Sequence, residues 1–148
     1  MRILLQQNVN AAPEVVFAAF TEIEAWPERI SGIERVKIVT EGPVGAGTAF
    51  RETRIIMKKE VTEEMMITAF DPPREYVVES DSCGSHFRTS VRFHELGEGT
   101  CLEMEMVTHP MTFAARLMTP MALMMKGLMK KLMVRDLKDL ATFVEASN

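Results

Sequence analysis

The stretch RILLQQNVNAAPEVVFAAFTEIEAWPERI, residues 2–30, decides the fold class. Its first part, Arg2 to Val9, is rich in branched apolar residues and reads as a strand. Ala12-Pro13-Glu14 then opens a helix, with proline at an early position where its missing N–H costs nothing. Val15, Val16, Ala19, Phe20 and Ile23 recur at helical spacing and supply one buried face. Ala25 to Ile30 forms a second, short helix with Pro27 near its start, and Ser31-Gly32 ends it. One strand followed at once by two helices leaves the rest of any sheet to be built later in the chain.

It is built next. Ile33 to Glu41 reads as a strand, Gly42 to Gly47 as a glycine-rich turn, and Thr48 to Ile56 as the next strand. Met57-Lys58-Lys59 turns into Glu60 to Phe70, and Asp71-Pro72-Pro73 is a strong breaker. Glu75 to Ser80, Ser85 to Glu95 and Thr100 to Thr108 complete the run, with a turn at Leu96 to Gly99. Strands joined by short turns imply an antiparallel meander. After Pro110 the pattern is helical nearly to Asn148. The order β-α-α-β-β-β-β-β-β-α is that of an α+β domain, not of a parallel sheet. The two helical segments then share one face of the sheet, and solvent covers the other.

The 148 residues suit one domain, 1–148, that buries roughly 70% of its unfolded surface. A net charge of -4 provides no general footprint for nucleic acid. Cys83 and Cys101 lie in no CxxC and beside no paired histidine spacing, so they are expected to be buried or half-buried thiols in a reducing cytoplasm, with no metal site. Ile3 to Leu5 is too short for the core of a signal peptide, and no segment approaches the ~20 apolar residues of a membrane span. A cytoplasmic protein with no integral membrane association is the expectation.

Seven of the thirteen methionines lie from Met111 onward. Met118, Ala122, Met125, Met129, Met133, Leu137, Leu140 and Val144 form one apolar stripe on the last helix. Leu117, Met121, Met124, Leu128 and Leu132 widen it in the first half, whereas Lys131, Arg135, Lys138 and Asp139 occupy that arc in the second. Methionine adapts to irregular shapes, so the excess suits a flexible core, an adaptable pocket lining or a partner surface, a homodimer included. Pro120 either kinks this helix or, with Thr119 as N-cap, starts a fresh one.

Several segments in this order resemble the SRPBCC superfamily of helix-grip proteins, in its polyketide cyclase/dehydrase and lipid-transport branch. They are Val9 to Phe17, Ile23-Glu24-Ala25-Trp26-Pro27, Gly45-Ala46-Gly47-Thr48, Phe70-Asp71-Pro72-Pro73-Arg74, Gly99-Thr100, and Asp136-Leu137 to Glu145. The resemblance implies a seven-stranded curved antiparallel sheet gripping the last helix, with a cavity between them. It also implies a hydrophobic or amphipathic ligand such as a lipid or polyketide, or in some members cyclisation. No universal catalytic motif and no cofactor come with it.

If Thr48 opens its strand as in similar proteins, Phe50, Glu52, Arg54 and Ile56 share the concave face. Val61, Glu63, Met65, Ile67 and Ala69 follow on the next strand, and a slip of one residue would reverse either set. Tyr76 and Val78, then Phe87, Thr89, Val91 and Phe93, and then Leu102, Met104 and Met106 continue the inner surface. The candidate ligand-binding residues are Trp26, Phe50, Glu52, Arg54, Met65, Tyr76, Val78, Phe87, Met104, Met106, Met118, Met121, Met125 and Met129. Glu52, Arg54 and Glu63 fall among apolar neighbours and must pair or touch water. They are either a solvated set at the open end of the sheet or a polar handle for a ligand head group. Burial would also let a glutamate serve as general acid or base.

His86 and His94 alternate with Arg88 and Arg92 on the charged side of their strand, and no Ser/His/Asp or Cys/His arrangement is visible. The loop at Gly45 to Gly47 is a tight turn or a gate over the cavity mouth. Carriage of an apolar small molecule is the leading expectation, with a polyketide aromatase/cyclase or a protein-interaction module as alternatives.

Overall fold

The computed structural model describes residues 1–147. Strand β1 (Arg2–Val9) leads into helix α1 (Pro13–Thr21), whose Pro13 is at its N-terminus. The second helical segment is a 3-10 turn, Ile23–Ala25, that runs directly into α2 (Trp26–Arg29). Six strands follow: β2 (Ile33–Ile38), β3 (Ala49–Ile56), β4 (Lys59–Asp71), β5 (Glu75–Ser82), β6 (Ser85–Leu96) and β7 (Gly99–Pro110). Helices α3 (Phe113–Leu117) and α4 (Thr119–Ser147) close the chain.

All seven strands belong to one antiparallel sheet, ordered β1-β7-β6-β5-β4-β3-β2. The expected meander accounts for β2 to β7. The first strand joins beyond its end, with Leu5 opposite Met104. The helical connection α1–α2 therefore crosses from one sheet edge to the other, which keeps it over the concave face. Val16, Phe17 and Phe20 of α1 and Leu137, Leu140, Ala141 and Val144 of α4 are buried with the inner strand residues.

Local chemistry moves several boundaries. Strand β2 stops at Ile38 because the Thr40 hydroxyl accepts from the Ala49 N–H at 3.1 Å, replacing the ladder. In β4 the register to β5 shifts between Ile67 and Ala69. This bulge turns Ala69 outward, against expectation, and brings Phe70 in against Phe17, ring centroids 5.3 Å apart. The terminal helix breaks at Met118, and α4 starts afresh at Thr119 with Pro120 in its first turn. Cys83 is exposed rather than buried, since it occupies the β5–β6 turn at φ 51 beside Gly84; Cys101 is half-buried.

Polar anchors hold the second half of α4. Asp139 accepts from Ser31 N–H at 2.9 Å and from its hydroxyl at 2.8 Å. The Arg29 guanidinium covers the Phe143 ring at 3.9 Å. The first half has no such anchors among the described residues and lies exposed. No helix of the described residues is long and apolar enough to cross a membrane.

Candidate ligand-binding cavity

Alternation along β3 to β7 points one residue in two toward α4, yet the two layers do not meet everywhere. Between them lies a cavity of about 300 Å³, at the small end of the range for ligand sites. Trp26, Phe50, Glu52, Arg54, Met65, Tyr76, Val78, Phe87, Met104, Met106 and Met129, all read from the sequence, line it. Under α1 it ends in packed rings: Phe17 meets Phe93 at 5.1 Å edge to face, and Trp26 meets Phe50 at 5.6 Å. There the lining residues Phe20, Phe50 and Val91 are buried. Toward the β3–β4 and β5–β6 turns, Ile56, Val61 and Phe87 are only half-buried, which places the mouth at that end.

Met118, Met121 and Met125 are not in the lining; each is exposed to solvent. The apolar stripe does run through them, but the sheet covers the helix only from about Leu128 onward. The sequence candidates left out Leu132, Met133, Asp136 and Ser80 of the wall, and also Thr89, although alternation had put Thr89 on the inner surface. A signal for Asp136 was present: Met129, Leu132, Met133, Asp136 and Leu140 recur at helical spacing, so one acid interrupts an apolar arc.

Asp136 completes the polar part of the wall. Arg54 Nε donates to Glu52 Oε1 at 2.5 Å, while Nη1 and Nη2 donate to the two Asp136 oxygens at 3.2 and 2.6 Å. Glu52 and Arg54 are thus neither solvated nor unpaired; the bidentate fork bridges β3 to α4. Burial works against the Arg54 charge, but the bonds from Asp136 and Glu52 outweigh it and hold the guanidinium above its ordinary pKa. For Glu52, burial dominates the pull of Arg54, and its carboxyl is raised from the ordinary 4.5.

Gly32 makes room for this bridge. A methyl group there would sit 2.2 Å from Arg135 Nη2 and 3.1 Å from Arg54 Nη1. Glu63, the third candidate charge, accepts from the Ser82 hydroxyl at 2.9 Å.

The Tyr76 phenol is buried, and burial followed by the nearby Glu52 charge pushes its pKa up, so it stays a neutral donor. Among the described residues, no protein hydrogen bond engages Tyr76 Oη or Glu52 Oε2. Both residues belong to the lining, whose other polar members are Arg54, Glu63, Ser80, Thr89 and Asp136. The Gly45–Gly47 loop is a tight turn pinned by Thr48, whose hydroxyl accepts from Gly45 N–H at 2.9 Å. On the convex face His86 bridges Asp81 and Glu79 at 2.6 and 2.9 Å, whose carboxylates raise its pKa; His94 is exposed.

Solved structures repeat this architecture. A Thermus thermophilus protein, TTHA0849, superposes with a TM-score of 0.80 at 19% identity, covering 100% of this chain and 99% of its own. The Zhui aromatase/cyclase from Streptomyces sp. R1128 gives 0.78 at 15% identity, covering 98% and 93%. A START superfamily protein from Mycobacterium smegmatis gives 0.70 at 15%, covering 99% and 95%. At these identities the likeness is one of fold. No functionally curated protein matches the chain. A sequence family described as polyketide cyclase / dehydrase and lipid transport matches residues 3–145. With nearly the whole chain matched and the helix-grip architecture in place, this protein belongs to the polyketide cyclase/dehydrase and lipid-transport family.

Proposed function

We propose that this chain acts as a single ligand-binding domain, working in the cytoplasm, that carries an amphipathic small molecule in the cavity between sheet and α4. The observation that carries the reading is the wall itself. Met, Phe, Val and Leu side chains surround about 300 Å³, and Tyr76 and Glu52, with a hydroxyl and a carboxylate oxygen that no protein hydrogen bond engages, belong to the lining. Two carboxylates share one guanidinium there, so the polar spot carries excess negative charge and suits a ligand group that donates hydrogen bonds, such as a hydroxyl. The free thiols Cys83 and Cys101 support a reducing compartment.

Native mass spectrometry of gently purified protein, with titration by a fluorescent long-chain alcohol, tests the reading. Bound apolar ligand is expected, and Met104→Trp, which fills the cavity, should weaken probe binding at least tenfold. Undiminished binding by this variant would place the ligand elsewhere.

A second reading is favoured by the same polar cluster. Glu52 and Tyr76 face the space where a reactive chain would lie, with a raised carboxyl pKa suited to proton transfer, so the cavity would shape a polyketide-like substrate for cyclisation. Glu52→Gln and Arg54→Met should then abolish turnover of a poly-β-ketone thioester mimic while native mass spectrometry still finds it bound. Retained turnover in both variants excludes this chemistry.

A further inference from the structure

We propose that α3 and the first half of α4 form a face that docks on an anionic lipid bilayer; only its use in loading the cavity rests on the carrier reading. The first observation is uncovered apolar surface. Phe113, Leu117, Met121 and Met124 are 76%, 66%, 56% and 83% exposed, and no residue of α3 is buried. In α4 the buried residues begin only at Leu137. Leu117, Met121, Met124 and Leu128 recur at spacings of three and four, so the exposed part presents one stripe to its surroundings.

The second observation is charge. From Met106 to Arg135 the chain has no aspartate or glutamate, although it holds 21 in all. The same segment contains Arg116, Lys126, Lys130, Lys131 and Arg135 and no acid, so this part of the molecule is basic, with Lys131 and Arg135 on the arc of the stripe and Lys126 and Lys130 on the opposite side of α4. The protein as a whole is acidic at -4, so the remainder of its surface would be repelled by an anionic bilayer, and the field orients this face toward it.

Sheet register adds a third. Ser85 pairs with Pro110 and Ile56 with Lys59, so the β3–β4 turn lies at the same end of the sheet as the start of α3. That turn also carries an exposed Met57 beside Lys58 and Lys59. This is the end at which the cavity lining becomes half-buried.

An apolar stripe on a helix whose polar side carries lysine is the composition that partitions into the headgroup boundary, and unbranched methionine fits disordered acyl chains. A second copy of the chain is the poorer occupant, because joining two such faces sets like charges together without an acid to offset them.

The test is flotation of the full-length protein with vesicles of phosphatidylcholine alone, or of equal parts phosphatidylcholine and phosphatidylglycerol. Binding to the mixed vesicles only, lost at high salt, is expected. Lys126→Gln/Lys130→Gln/Lys131→Gln should weaken partitioning by ~100-fold, at about fivefold per charge. Phe113→Ser/Met124→Ser should abolish it, with far-ultraviolet circular dichroism and cavity-probe binding unchanged in both variants. Equal binding to neutral vesicles, no binding, or indifference to both variants overturns the proposal. So does a dimer in sedimentation that Phe113→Ser/Met124→Ser dissolves. Cavity occupancy is read separately by native mass spectrometry, so failure to dock leaves the carrier reading standing, and an empty cavity leaves docking standing.

Discussion

Arg54 is the residue on which the polar wall depends. It pairs with two carboxylates that are themselves mostly buried, one on its own strand and one on α4. Removing the cation leaves Glu52 and Asp136 facing each other without compensation. Arg54→Met should therefore destabilise the fold by about 3–5 kcal/mol in urea unfolding at neutral pH. A loss under 1 kcal/mol would mean that the carboxylates find water. Glu52→Gln is milder, since an amide oxygen can still accept from Nε. Its effect depends on pH in a definite sense. The folded carboxyl is raised from 4.5, so its contribution is fully present below that value and is lost as pH rises through the folded pKa. The variant removes that loss. Its stability relative to the parent should improve from pH 4.5 to 8, and a difference that worsens over this range refutes the assigned direction. Glu52 and Arg54 were legible because strand alternation puts them among Phe50 and Ile56. Asp136 was legible only as the one acid on an apolar arc of the helix, and nothing in the sequence says that Arg54 reaches it. Gly32 was legible only as a helix stop, since nothing in a sequence tells that two arginines will converge on it.

At the scale of elements, the turns carry the least expected feature. The β3–β4 hairpin closes through Met57 at φ 53 and Lys58 at φ 66, the left-handed pair of a two-residue turn that favours Asn-Gly. Neither residue is suited to it, so strain is held in an exposed tip. Met57→Asn with Lys58→Gly should stabilise the protein by about 1 kcal/mol, a rise in Tm of ~2–4 °C by calorimetry. An unchanged Tm would show that the parent turn is unstrained. The hairpin itself was plain from the sequence, because Met57-Lys58-Lys59 interrupts two alternating runs. The bulge in β4 was not: Ala69 and Phe70 satisfy alternation equally well in either phase until Phe17 supplies a partner for one of them. The break before Pro120 was legible as a choice between kink and restart, and backbone geometry at Met118 decides for restart.

For the whole molecule the question is why a chain should keep its two layers apart. A void lined by apolar side chains forfeits contacts at about 24 cal/mol per Å³ of residual cavity in large-to-small substitutions. Filling a hollow of this kind should therefore stabilise the ligand-free protein, whereas adding atoms to a packed core costs about 1–3 kcal/mol. Val78→Phe makes the sign of that difference measurable, because Val78 is half-buried and lines the cavity without joining the charged cluster. The Tm of stripped protein is expected to rise while affinity for an apolar probe falls. In the parent, a ligand at 100 times its Kd should restore about 2.7 kcal/mol of stability. The same ligand should do far less for the variant, since the space it would occupy is already full. A fall in Tm with probe binding intact would mean the opposite: the walls relax onto each other in solution, and the ligand binds outside them. Element order foretold the layers, and the family resemblance the space between them. It could not foretell where the sheet lets go of α4, because the helix is apolar on both sides of that point and only the reach of the strands separates lining from exposed face.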